Sequence, residues 1–315
     1  MEDPNIITSG YLPVGDGHKL YFEEWGNPEG TPIFYLHGGP GDGFSDSNKF
    51  LFDPQKHHVI FHDQRGSGKS TPYASTDQNT TQKLIGDITT LADHLHIDSF
   101  ILIGGSWGST LALLYAIAHP ERVQQMILWG IFLVRQFEFD YFSEGYAQYT
   151  FPEAWERFSS LVPQEKRKTG NSIVQYYAKQ IRSKDEAIAK KFVSELVLWE
   201  ATLISRNYDQ RRVEASVFSE DHFAIAMLET HYFLNNYFVP ENYILENIKT
   251  IQDIPSSIIH GRFDMCTPPI VARDLAKAYG KNATLQWTNG GHLRSEPENF
   301  AAIKATINAI CGVGL

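Results

Sequence analysis

The segment from residue 101 to 118 has the pattern of a nucleophilic serine. Apolar β-forming residues lead into G-G-S-W-G at residues 104–108, and an apolar helical run follows from Thr110 to Ala118. This order predicts a strand, a sharp turn and a helix, with Ser106 at the turn. The flanking glycines let the helix backbone pass close to the strand while the serine takes a strained conformation. The context indicates a serine exposed at the end of a strand.

A serine of this kind needs two partners. Serine is a weak nucleophile unless a base takes its proton, and the base needs a third group that fixes its tautomer. After a G-x-S-x-G turn, the acid and then the histidine follow in loops that succeed strands. Here Asp264 ends H-G-R-F-D and His292 ends N-G-G-H, each just after an apolar segment. The sequence predicts the catalytic triad Ser106, Asp264 and His292 at the carboxyl ends of strands.

A reaction at a carbonyl also needs donors for the developing oxyanion. The backbone N–H of Trp107, directly after the serine, is the first candidate. The second is expected in the loop after an early strand, which here is H-G-G-P-G at residues 37–41. We assign Gly39 to this role because glycine lets the backbone approach a substrate closely.

The elements that would position these residues alternate along the chain. Residues 10–25 predict a hairpin with a Gly-Asp-Gly turn. The other predicted strands are 32–36, 58–62, 100–103, 125–129, 257–260 and 284–287, and the predicted helices are 81–94, 110–118, 269–279 and 299–310. This alternation predicts an α/β fold with a mostly parallel central sheet, helices on both faces and an inserted helical cap.

The cap is predicted where the alternation stops. Residues 135–245 hold many aromatic residues, no convincing buried strand, and helical runs at 153–161, 172–181, 185–204 and 221–238. We therefore assign residues 1–134 and 246–315 to the α/β core and residues 135–245 to a cap domain. A chain of 315 residues is long enough for one core domain with such an insertion.

Composition narrows the classes of partner. The formal net charge of −10 argues against nucleic acid and anionic membranes, which attract basic surfaces. The N-terminus lacks the apolar core of a signal peptide, and no apolar run approaches the roughly 20 residues of a membrane helix. Cys266 and Cys311 do not make a disulfide framework. We expect a cytoplasmic protein that binds neither nucleic acid nor membrane.

The remaining motifs favour structural roles. His57, His58 and His62 lack metal-ligand spacing and the chain contains no H-E-x-x-H, so we expect no metal. The glycines around Ser106 match a dinucleotide-binding loop poorly, and we expect no cofactor. The D-Q-R-G turn at 63–66 is expected to be structural, with Arg65 paired internally.

Two glutamates in the predicted cap lie on apolar helix faces. Glu200 and Glu229 have apolar residues three and four positions away on both sides: Leu196, Val197, Leu203, Ile204, and Ile225, Ala226, Tyr232, Phe233, respectively. An unpaired buried carboxylate is costly, and the cap offers no obvious Lys or Arg at helical spacing. A cationic ligand group, such as a substrate amine, would satisfy both carboxylates.

Together these motifs resemble the proline iminopeptidases, serine peptidases of the α/β-hydrolase fold. The similarity covers nearly the whole chain and includes H-G-G-P-G (37–41), D-Q-R-G-S-G-K-S (63–70), G-G-S-W-G-S-T-L (104–111), G-I-F (130–132), W-E (199–200), E-x-H-Y-F (229–233), H-G-R-x-D (260–264) and G-H-x-x-x-E-P (291–297). The resemblance implies release of N-terminal proline from peptides.

The resemblance also implies roles for cap residues. Glu200 and Glu229 match the glutamates that bind the proline imino group, and Phe132, Phe142 and Phe233 match the aromatic proline pocket. The chain departs from the family pattern at three places: Trp129 where many members have arginine, Cys266 one position early, and Leu293-Arg294 where a small residue is common after the histidine.

Other functions are open on the same residues. A general esterase or amidase for small substrates would use the triad but would leave the two glutamates without a cation. An epoxide hydrolase or dehalogenase would need an aspartate at Ser106. A non-catalytic receptor with this fold would be favoured if a triad member were missing, and none is.

Overall fold

The computed structural model describes residues 3–143, 146–206, 209–219 and 221–311. It contains an eight-stranded sheet with the strand order β1-β2-β4-β3-β5-β6-β7-β8. The strands are β1 (Ile6–Pro13), β2 (Lys19–Gly26), β3 (Pro32–Leu36), β4 (His58–His62), β5 (Phe100–Gly105), β6 (Val123–Trp129), β7 (Ser256–Gly261) and β8 (Ala283–Thr288). The pairs β1–β2 and β2–β4 are antiparallel and the other five are parallel. The carboxyl ends of β3, β5, β6, β7 and β8 therefore share one edge.

Within the described residues, twelve helices connect or cover the strands. They are α1 (Asp46–Lys49), α2 (Thr81–His94), α3 (Trp107–Ala118), α4 (Gln136–Ser143), α5 (Pro152–Ser160), α6 (Gly170–Ile181), α7 (Glu186–Ile204), α8 (Gln210–Ser219), α9 (Phe223–Leu234), α10 (Tyr243–Asn247), α11 (Ile270–Tyr279) and α12 (Pro297–Cys311). Helices α4 to α10 all lie between β6 and β7 in sequence. The position of the cap boundaries stays a prediction, and residue 245 falls inside α10.

The sheet separates two apolar cores. In β3, Phe34 and Leu36 pack with residues of α2, α3 and α11, whereas Ile33 and Tyr35 pack with residues of α12. Successive side chains of a strand point to opposite faces, so one short strand contributes to both cores. Residues of α5, α6 and α7 form a separate cluster around Phe158. Both faces of the sheet are covered, as the sequence predicts, and the α/β fold class is confirmed.

The predicted strands and helices are present, with corrections to the bounds of two helices and with four helices that were not predicted. Helix α3 begins at Trp107 rather than Thr110, because the chain turns directly from β5 into the helix at Ser106. The predicted helix 221–238 ends at Leu234, since the backbone is left-handed from residue 236 to 238. Helices α1, α4, α8 and α10 were not predicted, and α1 and α10 have only four and five residues, too few for a helical period to show. No helix among the described residues is both long and apolar enough to cross a membrane.

Candidate active site

Ser106 lies at the turn between β5 and α3. Its φ and ψ are 55° and −128°, a strained combination for a non-glycine residue, and its N–H donates to the Trp129 carbonyl at 3.1 Å. A Cβ atom on Gly104 would lie 2.4 Å from the Gly108 oxygen, and one on Gly108 would lie 2.1 Å from the Leu36 oxygen. Close contact of backbones therefore requires both glycines of the motif.

The predicted acid and base are hydrogen-bonded to each other. Asp264 lies in the loop after β7 and His292 in the loop after β8, and His292 Nδ1 is 2.7 Å from Asp264 Oδ2. The Asp264 side chain is fully buried. Its Oδ1 accepts the backbone N–H groups of Cys266 and Thr267 at 3.0 and 2.8 Å, and its Oδ2 also accepts the Thr267 hydroxyl at 3.0 Å. The carboxylate is thus fixed and faces the imidazole.

The pKa of Asp264 is lowered and the pKa of His292 is raised, as expected when a carboxylate increases the basicity of a histidine. Burial alone would raise the pKa of Asp264, but the charge and hydrogen bond of His292 outweigh burial and lower it. Burial alone would lower the pKa of His292, but the charge and hydrogen bond of Asp264 raise it. Asp264 is therefore an anion that stabilises the imidazolium form.

Ser106 and His292 lie on the same side of Gly130. A Cβ atom on Gly130 would lie 2.9 Å from His292 Cε1 and 3.5 Å from the Ser106 nitrogen. Gly130 has a φ of 52°, which also favours glycine. Within the described ranges, no hydrogen bond joins the Ser106 hydroxyl to His292, although both residues line one cavity. Such bonds are often long before substrate binds.

His260 is a site residue that the sequence analysis missed. Its Nδ1 accepts the N–H of Ile131 at 3.1 Å, and its Nε2 is 2.9 Å from the Thr267 carbonyl oxygen. Because Nδ1 accepts, Nε2 carries the proton and donates to that carbonyl. Burial lowers the pKa of His260, which favours this neutral form. The imidazole thus joins the loop of Asp264 to the segment that follows Gly130, and its sequence signal is its place at the start of H-G-R-x-D (260–264).

The two predicted oxyanion donors lie at the ends of neighbouring loops. Trp107 is the first residue of α3, so its N–H has no acceptor within the helix. Gly39 has a φ of 100°, and a Cβ atom there would lie 2.5 Å from the Gly41 nitrogen. Among the described residues, none accepts a hydrogen bond from the Gly39 N–H. Both N–H groups are thus available to a ligand.

Gln64 connects these two loops, another contact that the sequence did not reveal. Its Oε1 accepts the Trp107 indole N–H at 2.8 Å, and its Nε2 donates to the His37 carbonyl at 3.0 Å. The Gln64 N–H donates to His37 Nε2 at 3.0 Å. Burial lowers the pKa of His37 to about 4, so this ring is neutral and can accept. The adjacent Arg65 binds Asp87 through Nε and Nη2 at 2.7 and 2.9 Å, which confirms its internal pairing.

A small cavity of about 70 Å³ adjoins Ser106. We call it the amine-side cavity, and it is lined by the predicted site residues Gly39, Ser106, Phe132, Phe142, Glu200, Glu229 and Phe233, together with Glu138, Phe139, Val174, Leu196, Thr230, Tyr237, Cys266 and Thr267. The structure therefore brings both cap glutamates and all three predicted aromatic residues to the serine. The sequence did not reveal Glu138, Phe139 and Tyr237 as site residues. Glu138 and Phe139 lie in α4, which was not predicted, and Tyr237 lies beyond the end of α9.

The two glutamates interact directly within this cavity. Burial raises the pKa of both, and the charge and hydrogen bond of Glu200 raise the pKa of Glu229 further. Among the described residues, no lysine or arginine forms an ion pair with either. Glu138 differs, because Arg135 Nε donates to its Oε1 at 2.6 Å. Two buried carboxylates of this kind favour a proton or a cationic ligand group between them.

Comparisons with known proteins agree with this architecture. The alpha/beta hydrolase fold family model matches residues 31–296. An esterase structure from Exiguobacterium antarcticum shares the fold with a TM-score of 0.67 at 18% identity, covering 97% of this chain and 100% of that one.

Curated sequences are closer than the solved structure. A proline iminopeptidase of Arabidopsis thaliana is 40% identical over 291 residues, which is 92% of this chain and 76% of that protein. One of Xylella fastidiosa (strain 9a5c) is 40% identical over 298 residues, 93% of each chain. The chain therefore belongs to the proline iminopeptidase family of α/β-hydrolase fold proteins.

Proposed function

We propose that this protein is a serine aminopeptidase that releases N-terminal proline from peptides. The observation that carries the proposal is the amine-side cavity, where an aromatic wall ends at two buried carboxylates that form no ion pair with a lysine or arginine in the described part of the chain. An N-terminal proline presents a compact apolar ring and a secondary ammonium group with two N–H donors. Two carboxylates match these two donors, and the charge-assisted hydrogen bonds would be strong in a cavity of low dielectric.

In the proposed mechanism, Glu200 and Glu229 hold the ammonium group while Phe132, Phe142 and Phe233 enclose the pyrrolidine ring. His292 takes the proton of Ser106, and the serine oxygen attacks the prolyl carbonyl. The N–H groups of Gly39 and Trp107 bind the oxyanion. His292 then protonates the leaving amine. To release proline, His292 takes a proton from water, the water oxygen attacks the acyl-enzyme, and the proton passes to the Ser106 oxygen.

The position of the cavity supports removal of a single terminal residue. Its wall includes side chains of α6, α7 and α9, which lie in the segment that we infer to be the cap. A residue preceding proline would have to pass through this wall and would replace the ammonium group with an uncharged amide. We infer that the cap enforces an aminopeptidase rather than an endopeptidase.

Hydrolysis of a prolyl arylamide and its N-acetylated counterpart tests the function. We expect kcat/KM to be about 10²–10³-fold higher for the free amine, because acetylation removes the charge that the glutamates bind. Glu200→Gln and Glu229→Gln should each lower kcat/KM for the free amine by about 10²-fold, since each leaves a weaker, uncharged acceptor. Activity toward the acetylated compound should change much less.

Glu186→Gln, in the exposed first turn of α7, is the matched control and should leave both rates unchanged. Equal cleavage of the two compounds would instead indicate a general esterase or amidase. Cleavage of neither would indicate a non-catalytic receptor.

The pH dependence of kcat/KM is expected to show an acid limb with its midpoint above pH 6.5. Burial opposes protonation of His292, but Asp264 outweighs it and raises the pKa of His292 above the ordinary value of 6.5. His292 accepts the serine proton only when it is neutral, so activity must rise as pH increases through this pKa. Rates measured from about pH 5 to 9 locate the limb. A midpoint clearly below 6.5 would show that His292 is not the essential base.

A further inference from the structure

Ser106 also lines a second, larger cavity of about 350 Å³. Gly39, Ser106 and Glu200 border both this cavity and the amine-side cavity. In the proposed function the amine-side cavity holds the prolyl residue, so the peptide beyond the scissile bond must occupy the second one. We call this second space the leaving-group cavity. The proposed mechanism assigns no substrate group to the part of this cavity wall that lies away from Ser106.

Arg294 provides a cation on this wall. It lies two residues after His292, so the same loop positions both. Its Nη1 donates to the Ser47 carbonyl at 3.3 Å and its Nη2 donates to Ser47 Oγ at 3.2 Å. Both bonds are long and both acceptors are neutral. Among the described residues, no carboxylate forms an ion pair with this guanidinium, which keeps N–H donors for a ligand.

The surroundings of Arg294 define where an anion would fit. Burial raises the pKa of Tyr35, the charge of Arg294 opposes that rise, and the charge of Asp42 adds to it. Both charged groups therefore act on the Tyr35 hydroxyl, which also accepts a hydrogen bond from Asn48 at 2.6 Å. Glu200 repels an anion from its part of the cavity, so a carboxylate is favoured beside Arg294.

We propose that Arg294 binds a carboxylate on the residue that follows the N-terminal proline. The inference rests on the proposed function and specifies its preferred peptides. In a Pro-X dipeptide, the terminal carboxylate carbon is three bonds from the scissile carbon, about 4 Å away by standard backbone dimensions. It must therefore lie in the leaving-group cavity, which Arg294 lines together with Ser106. In a longer peptide, an aspartate or glutamate side chain at the same residue offers the same chemical group.

Two substrate pairs distinguish these sources of the carboxylate. Pro-Ala and Pro-Ala-amide differ in the terminal carboxylate, and Pro-Asp-amide and Pro-Asn-amide differ in the side-chain carboxylate. The readout is the ratio of kcat/KM within each pair, which cancels any general loss of activity. For the wild type we expect at least one ratio to favour the carboxylate, and Arg294→Gln to lower that ratio about fivefold. Added salt should lower the same ratio in the wild type, because the guanidinium is accessible to solvent.

Two variants serve as controls. Arg294→Lys keeps the positive charge and should retain part of the preference. Arg273→Gln, on the exposed face of α11, removes the same charge elsewhere and should leave both ratios unchanged. A change in the first ratio alone identifies the terminal carboxylate, and a change in the second alone identifies the side chain.

Two results overturn the proposal in distinguishable ways. If Arg294→Gln cleaves prolyl peptides with both ratios equal to those of the wild type, the inference fails and the proposed function stands. If the wild type cleaves neither the dipeptides nor a prolyl arylamide, the proposed function fails and this inference fails with it.

Discussion

Replacement of Ser106 by alanine is expected to lower kcat/KM for a prolyl arylamide by about 10⁶-fold. The serine oxygen is the group that forms the acyl-enzyme in the proposed mechanism, and alanine removes it without filling the turn. The strained backbone at this position is held by the Trp129 carbonyl and by the contact of Gly104 with Gly108, neither of which involves the side chain. The loss should therefore appear in kcat with little change in folding.

Steady-state rates together with a thermal unfolding curve measure this effect. The variant should unfold at nearly the wild-type temperature and should give no burst of arylamine product. Ser99→Ala, which precedes β5 and lies outside both cavities, is the matched control and should keep wild-type rates. A residual rate within tenfold of the wild type would show that another group performs the attack.

Asp264→Asn is expected to lower kcat/KM by about 10⁴-fold. Oδ2 of Asp264 accepts the Nδ1 proton of His292 and so leaves Nε2 unprotonated. An asparagine can present its amide N–H₂ to Nδ1, which would stabilise the opposite tautomer and leave no base at Nε2. The buried loop also loses charge-assisted bonds from the N–H groups of Cys266 and Thr267.

The pH profile separates this mechanism from simple loss of structure. Without the carboxylate charge, the pKa of His292 should fall, so the acid limb of the residual activity should move to lower pH than in the wild type. Asp253→Asn, at an exposed position before β7, is the control and should retain the wild-type limb. An unshifted limb in Asp264→Asn would mean that Asp264 does not set the basicity of His292.

Most elements of this fold follow from local sequence. The strands at 32–36 and 58–62 and the helix at 81–94 begin and end where the apolar pattern predicts. The triad candidates also emerge from sequence, because a nucleophile, an acid and a histidine each follow a strand in a fixed order. Parallel strands bring these loops to one edge, so fold class and chain order together predict that they meet.

Contacts between loops that are distant in sequence could not be predicted from local sequence patterns. Gln64 and His260 stand in the motifs at 63–70 and 260–264, but the sequence does not show which groups they contact; those contacts arise because β4 lies beside β3 and β7 lies beside β6. Which loop residues form contacts depends on side-chain direction and on the closure of long loops. The local periodicity of the sequence carries no information about either.

Glu200 and Glu229 show most clearly which features local sequence predicts and which features depend on the tertiary structure. Helical spacing alone indicated that Glu200 and Glu229 face an apolar interior, because residues three and four apart share a helix face. Only the packing of α7 and α9 brings the two carboxylates together beside Ser106. Neither glutamate pairs with Arg157, which binds Glu195 instead. Local sequence determined which side of its helix each glutamate occupies. The tertiary structure determined its partner, because partner choice depends on how whole helices dock.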